Sequence, residues 1–81
     1  MKRTRKDLEQ LVETLNKLLG GEEYFLEVMS AEVFGPWRYK LDNKQGSGRP
    51  LCTYDRMECS VMYQYLRGAI AAIGAYANNL K

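Results

Sequence analysis

Eighty-one residues with an apolar fraction of 46% and a net charge of +2 describe one small globular domain, 1–81, near the lower size limit for a self-sufficient core. The charge is too small to argue for nucleic acid by itself, and no apolar run approaches the roughly 20 residues of a membrane span. With no histidine and only two cysteines, Cys52 and Cys59, the chain lacks the commonest general base and the ligands of a zinc site; no catalytic set, metal or cofactor is expected.

Lys2, Arg3, Arg5 and Lys6 form the only dense charge cluster, at the end of a chain whose first four residues read as a loose basic arm. No apolar signal region follows them, so a cytoplasmic protein is expected. Basic residues at a helix start oppose its dipole. The cluster therefore reads either as a solvated terminus or as an arm that meets phosphate. Thr4 and Asp7 have capping-box spacing. Leu8, Leu11, Leu15 and Leu18 then recur at helical steps, with Val12 and Leu19 widening the stripe. Glu13 and Lys17 sit four apart on the opposite face, and Gly20-Gly21 ends the pattern. A first helix is predicted over Arg5–Leu19.

From Glu22 to Phe34 the residues are β-formers, with the alternation broken around Met29–Ala31 as at a bulge or bend. Gly35-Pro36 signals a turn. Trp37, Tyr39 and Leu41 alternate strictly with Arg38, Lys40 and Asp42, which predicts a strand with one aromatic and one charged face. The two runs form an antiparallel hairpin in which Glu27 and Glu32 can pair with Arg38 and Lys40. Residues 43–50 read as a flexible loop. Its Gly46-Ser47-Gly48-Arg49 lacks the lysine and hydroxyl residue that a phosphate-binding loop sets at a helix start. Leu51–Thr53 can add a short third strand.

A second helix is predicted from Asp55 to Leu80, with Asp55 and Glu58 as its capping box. Cys59, Met62, Leu66, Ala69, Ile73, Tyr76 and Leu80 give it a long apolar stripe. Gly68 and Gly74 inside a helix cost about 1 kcal/mol each relative to alanine, so a close-packed neighbour is expected to recover that loss. Gly68, Ala71, Ala72 and Ala75 form a second, small-residue surface. Either the first helix covers it or it is the interface of a homodimer. The fold class is α+β, in the order α-β-β-(β)-α, with two helices packed on a small antiparallel sheet of two or three strands. Trp37, Tyr39 and Leu41 are expected to meet Leu66, Ile70 and Ile73.

Three segments together carry a resemblance. They are Tyr24-Phe25-Leu26 after an amphipathic helix, Gly35-Pro36-Trp37-Arg38-Tyr39-Lys40-Leu41, and Glu58-Cys59-Ser60-Val61-Met62-Tyr63-Gln64-Tyr65-Leu66-Arg67-Gly68 in the closing helix. The layout resembles small proteins of tailed-phage and prophage genomes, over most of the chain. Pro36 departs from it, standing where such proteins often carry a second glycine. The resemblance implies a mobile-element origin and the α-β-β-α layout; it carries no defined activity and transfers no functional residue.

The leading functional expectation is a non-enzymatic accessory protein that binds another protein, such as a host or defence enzyme it inhibits. Its motive is the missing catalytic set together with more tyrosines (Tyr24, Tyr54, Tyr63, Tyr65) than so small a core can bury. The alternative is nucleic-acid binding through Lys2, Arg3, Arg5 and Lys6 with Arg38, Lys40, Arg49 and Arg56, beside Tyr63. The one reactive cluster on offer, Glu58, Cys59, Tyr63 and Tyr65, is scattered over several faces by helical spacing. An enzyme is not expected.

Overall fold

In a computed structural model describing residues 4–29 and 37–79, α1 (Arg5–Leu19) begins with the capping box that its spacing requires. The Thr4 hydroxyl accepts from the Asp7 amide and the Asp7 carboxylate accepts from the Thr4 amide at 2.8 Å. Gly20, at φ 60°, ends the helix in the left-handed region and donates its N–H to the Asn16 carbonyl at 3.0 Å. The Glu13–Lys17 pair forms at 3.3 Å. Leu8, Val12 and Leu15 are buried and Leu11 and Leu19 pack against them. Leu18, expected in the stripe, instead lies 46% exposed on its margin.

Strands β1 (Tyr24–Met29), β2 (Arg38–Asn43) and β3 (Met57–Glu58) form an antiparallel meander in the spatial order β1-β2-β3. The closing helix α2 (Cys59–Asn79) starts directly after β3. Both helices lie on one side of the sheet. α1 packs on α2 and β1, and α2 packs on β2 and β3. The molecule is 49 × 31 × 17 Å, its thinnest dimension fitting two layers. This is the expected α+β layout.

Register explains the core. Tyr24, Leu26 and Val28 stand opposite Asn43, Leu41 and Tyr39 on the helix-facing side. There Tyr39 and Leu41 join Leu8, Leu15, Met62 and Leu66 in one cluster, with Ile70 and Ile73 packed against it. Trp37 does not join them. It precedes the first paired residue of β2 and is 53% exposed, which corrects the expectation that it meets α2.

Two further expectations are corrected. The third strand is Met57–Glu58, not Leu51–Thr53. Thr53 does pair with Leu41: its N–H donates to the Leu41 carbonyl at 2.9 Å, and its hydroxyl accepts the Leu41 N–H at 3.0 Å. The hydroxyl stands where a strand carbonyl would, so one buried residue seals this stretch of β2 without a strand. Nor do Asp55 and Glu58 cap α2. Glu58 is extended and opposite Arg38, and ladder pairing delays the helix to Cys59. The break at Met29–Ala31, the Gly35-Pro36 turn and Leu80 lie in whole or in part outside the described residues. Residues 43–50 form hydrogen-bonded turns, with Gly46 donating to Asn43 and Arg49 donating to Gly46.

Of the two readings of the small face of α2, coverage by α1 is the one that the structure removes. Gly68, Ala71, Ala72 and Ala75 are all exposed, so α1 does not cover them. A Cβ added at Gly68 or Gly74 meets nothing within 4 Å, and no neighbouring element compensates for either glycine. Substituting Gly68→Ala should therefore stabilise the chain by about 1 kcal/mol through helix propensity alone. Urea denaturation checks this, and an unchanged or lowered midpoint would show that the site needs its glycine.

Candidate functional site

Asn16 lines a concave surface between α1 and β1. It lies one turn after Val12, where α1 passes the outer edge of β1. Its side chain grips both backbone polar groups of Tyr24: Nδ2 donates to the Tyr24 carbonyl at 3.0 Å, and Oδ1 accepts the Tyr24 N–H at 2.9 Å. Tyr24 is held from its other end as well. Its buried ring reaches the β2–β3 connection, where its hydroxyl accepts the Leu51 N–H at 3.3 Å. The Tyr65 hydroxyl donates to the Leu51 carbonyl at 2.7 Å. Burial and the nearby Tyr24 and Cys52 push the Tyr65 phenol above its ordinary range.

Between the outward flank of α1 and β1 runs an open groove of about 520 Å³. Val12, Tyr24 and Leu26 supply apolar walls, and Glu9, Glu13 and Asn16 line the helix side. β1 is the edge strand here. The Glu23 carbonyl accepts from Lys44 on the β2 side, whereas the polar groups of Tyr24 point outward to Asn16. By strand alternation those of Leu26 and Val28 also point outward. Among the described residues nothing pairs with them.

The far face of the sheet is charged and locally balanced. Arg56 meets Glu27 at 3.3 Å and Arg38 meets Glu58 at 4.0 Å. Glu27 faces Lys40 in register but takes its ion pair from Arg56, which corrects the expected pairing; Glu32 is outside the described residues. Arg49 is bound to Glu22, and Arg5 to Glu9 at 3.0 Å. Lys6 is exposed on α1, and Lys2 and Arg3 lie outside the described residues. Arg5, Arg38, Arg49 and Arg56 thus stand in separate ion pairs. Tyr63 is half-buried with the Arg67 guanidinium 5.9 Å from its ring centre, and Tyr54 is 86% exposed.

Glu22 ties the α1–β1 connection to the turns after β2. It accepts from Asn43 Nδ2 at 2.9 Å and from two nitrogens of Arg49. The Arg49 guanidinium, then the Asn43 amide, hold its carboxyl below the usual range. Asp42 is likewise lowered, chiefly by the Asn43 N–H at 2.8 Å. Burial raises both thiols. Cys52 has Asp42 beside it and Cys59 has Asp7, so neither is an activated nucleophile. Among the described residues no three Cys, Asp or Glu side chains gather to hold a metal ion, and no helix is long and apolar enough to cross a membrane.

Comparison with known proteins finds no matching family model, curated protein or solved structure.

Glu9, Val12, Glu13, Asn16 and Leu26 were not singled out as site residues by the sequence. The available signal was Asn16, a polar residue four after Val12 on the flank of an apolar stripe. The Glu22–Arg49 tie makes a test. A lowered carboxyl contributes stability above its unfolded value of about 4.3 and loses it as pH falls through the folded value. In an NMR titration Glu22 should titrate below that value, and Arg49→Gln should return it to the ordinary range. A Glu22 that titrates identically in both chains would show the tie is absent.

Proposed function

We propose that this chain is a non-enzymatic accessory protein that acts by binding another protein in the groove between α1 and β1. The observation that carries the reading is the edge of β1, unpaired among the described residues and flanked by an open, partly apolar groove. A free edge and a helix wall are the two components of strand-addition recognition, in which the backbone supplies affinity and alternate side chains supply specificity. On the resemblance to phage and prophage proteins, the class of target we propose is a host or defence enzyme whose action is blocked by occupancy. The nucleic-acid alternative draws less support, because Arg5, Arg38, Arg49 and Arg56 each face an acid.

The test is affinity capture from bacterial lysate by the native chain and by a Glu9→Arg/Glu13→Arg double variant. Both side chains are exposed, so the variant keeps its fold. The proposal expects a reproducible protein partner whose retention falls about ten-fold in the variant, equivalent to roughly 1.4 kcal/mol. Equal capture by both chains would remove the groove from the interface. No reproducible partner would overturn protein binding itself.

A further inference from the structure

Resting on that reading, we infer that the groove takes an extended, uncharged peptide segment of another protein, added antiparallel to the free edge of β1 with an apolar residue opposite each of Leu26 and Val28.

The hydrogen-bonding groups set the length and direction. Asn16 already satisfies Tyr24, so among the described residues the ladder open to a new strand consists of the N–H and C=O of Leu26 and Val28. An antiparallel segment satisfies all four groups with two of its own residues, two apart, because each bonded pair exchanges both bonds. A parallel segment spreads the same bonds over three of its residues and pairs slightly less stably.

Register then assigns the side chains. Residues opposite one another across a ladder share a face, so the peptide residues opposite Leu26 and Val28 point to the helix-facing side, as those two do. There they enter the groove over Val12 and Leu26 and remove that apolar surface from water. The residue between them falls opposite Glu27 on the far face, at a closely spaced pair.

Charge narrows the occupant. Glu9 stands 3.0 Å from Arg5 and Glu13 stands 3.3 Å from Lys17 along α1. Glu27 has Arg56 at 3.3 Å and Lys40 opposite it in β2. Each acid beside the open edge already has its cation, so a charged peptide residue of either sign gives up hydration without meeting an unmatched countercharge. Selection therefore falls to apolar contact and to the backbone. A second copy of this chain meets both requirements through its own Leu26 and Val28. It also sets Glu27 against Glu27 at the closely spaced position, where like charges destabilise pairing.

Synthetic peptides of about eight residues, a typical strand length, test the inference. The parent carries valine-threonine-valine between serines. Two relatives replace the threonine by lysine or by glutamate, and two replace both valines by serine or by proline. NMR titration and amide hydrogen exchange are read together. The parent should bind, slow exchange at the Leu26 and Val28 amides, and give a cross-peak between the α-protons of its threonine and of Glu27, the mark of the antiparallel register. The serine and proline peptides should bind at least about ten-fold more weakly, and neither charged peptide should bind more tightly than the parent. No binding by the parent, binding without slowed exchange at Leu26 and Val28, or tighter binding by either charged peptide overturns the inference. Undiminished binding by the serine or proline peptide overturns it as well. Slowed exchange that rises with protein concentration in the absence of peptide overturns it in favour of a second copy. Lysate capture that remains sensitive to Glu9 and Glu13 while these peptides fail would leave protein binding in place and remove only the uncharged-strand occupant.

Discussion

The two hydrogen bonds from the Asn16 amide to the backbone of Tyr24 are the constraint on which the rest of the structure depends. They fix the end of α1 against the start of β1 across a connection of only four residues, Gly20 to Glu23, after a helix stopped by a left-handed glycine. With Tyr24 held, its ring enters the core and its hydroxyl fastens Leu51. Its register partner Asn43 is brought to Glu22. One side chain thus couples the first helix, the first strand and the loop after the second strand. It also ends the exposed ladder of β1, leaving Leu26 and Val28 as the portion open among the described residues.

Sheet order gives that open portion its meaning. β2 is central, covered on one edge by β1 and on the other by Thr53 and β3. The helix-facing side is closed by α1 and α2, and the far side is a mosaic of paired charges that water solvates well. Free strand edges are hazards that proteins commonly blunt with bulges, prolines or covering elements. Here the described edge has a helix beside it rather than over it, and the result is a groove. The apolar walls of Val12 and Leu26 and the acids above them are what distinguish it from the rest of the surface.

Much of the fold was legible in the sequence because local chemistry determined it. Thr4, Asp7 and Gly20 delimit α1 through capping, and the Tyr39–Leu41 alternation sets β2. The errors arose where tertiary pairing overrode local signals. Asp55 and Glu58 read as a cap, yet Glu58 lies opposite Arg38 in the sheet. Thr53 reads as strand, yet pairs through its hydroxyl. Trp37 fits the period of β2 but stands one residue before the ladder begins. The binding groove was illegible for a deeper reason. It depends on which strand is at the edge and on which helix flank lies beside it, and neither follows from periodicity. The small-residue face of α2 was visible as a pattern; that it stays uncovered required the packing.

Amide hydrogen exchange along β1 in the free chain tests the central claim most directly. The account predicts an alternating pattern. Phe25 and Glu27 should be protected by β2 and Tyr24 by Asn16, while Leu26 and Val28 exchange far faster, as open backbone groups do. Uniform protection from Tyr24 to Val28 in dilute protein would mean that the edge is already covered, and the groove would not be the binding surface.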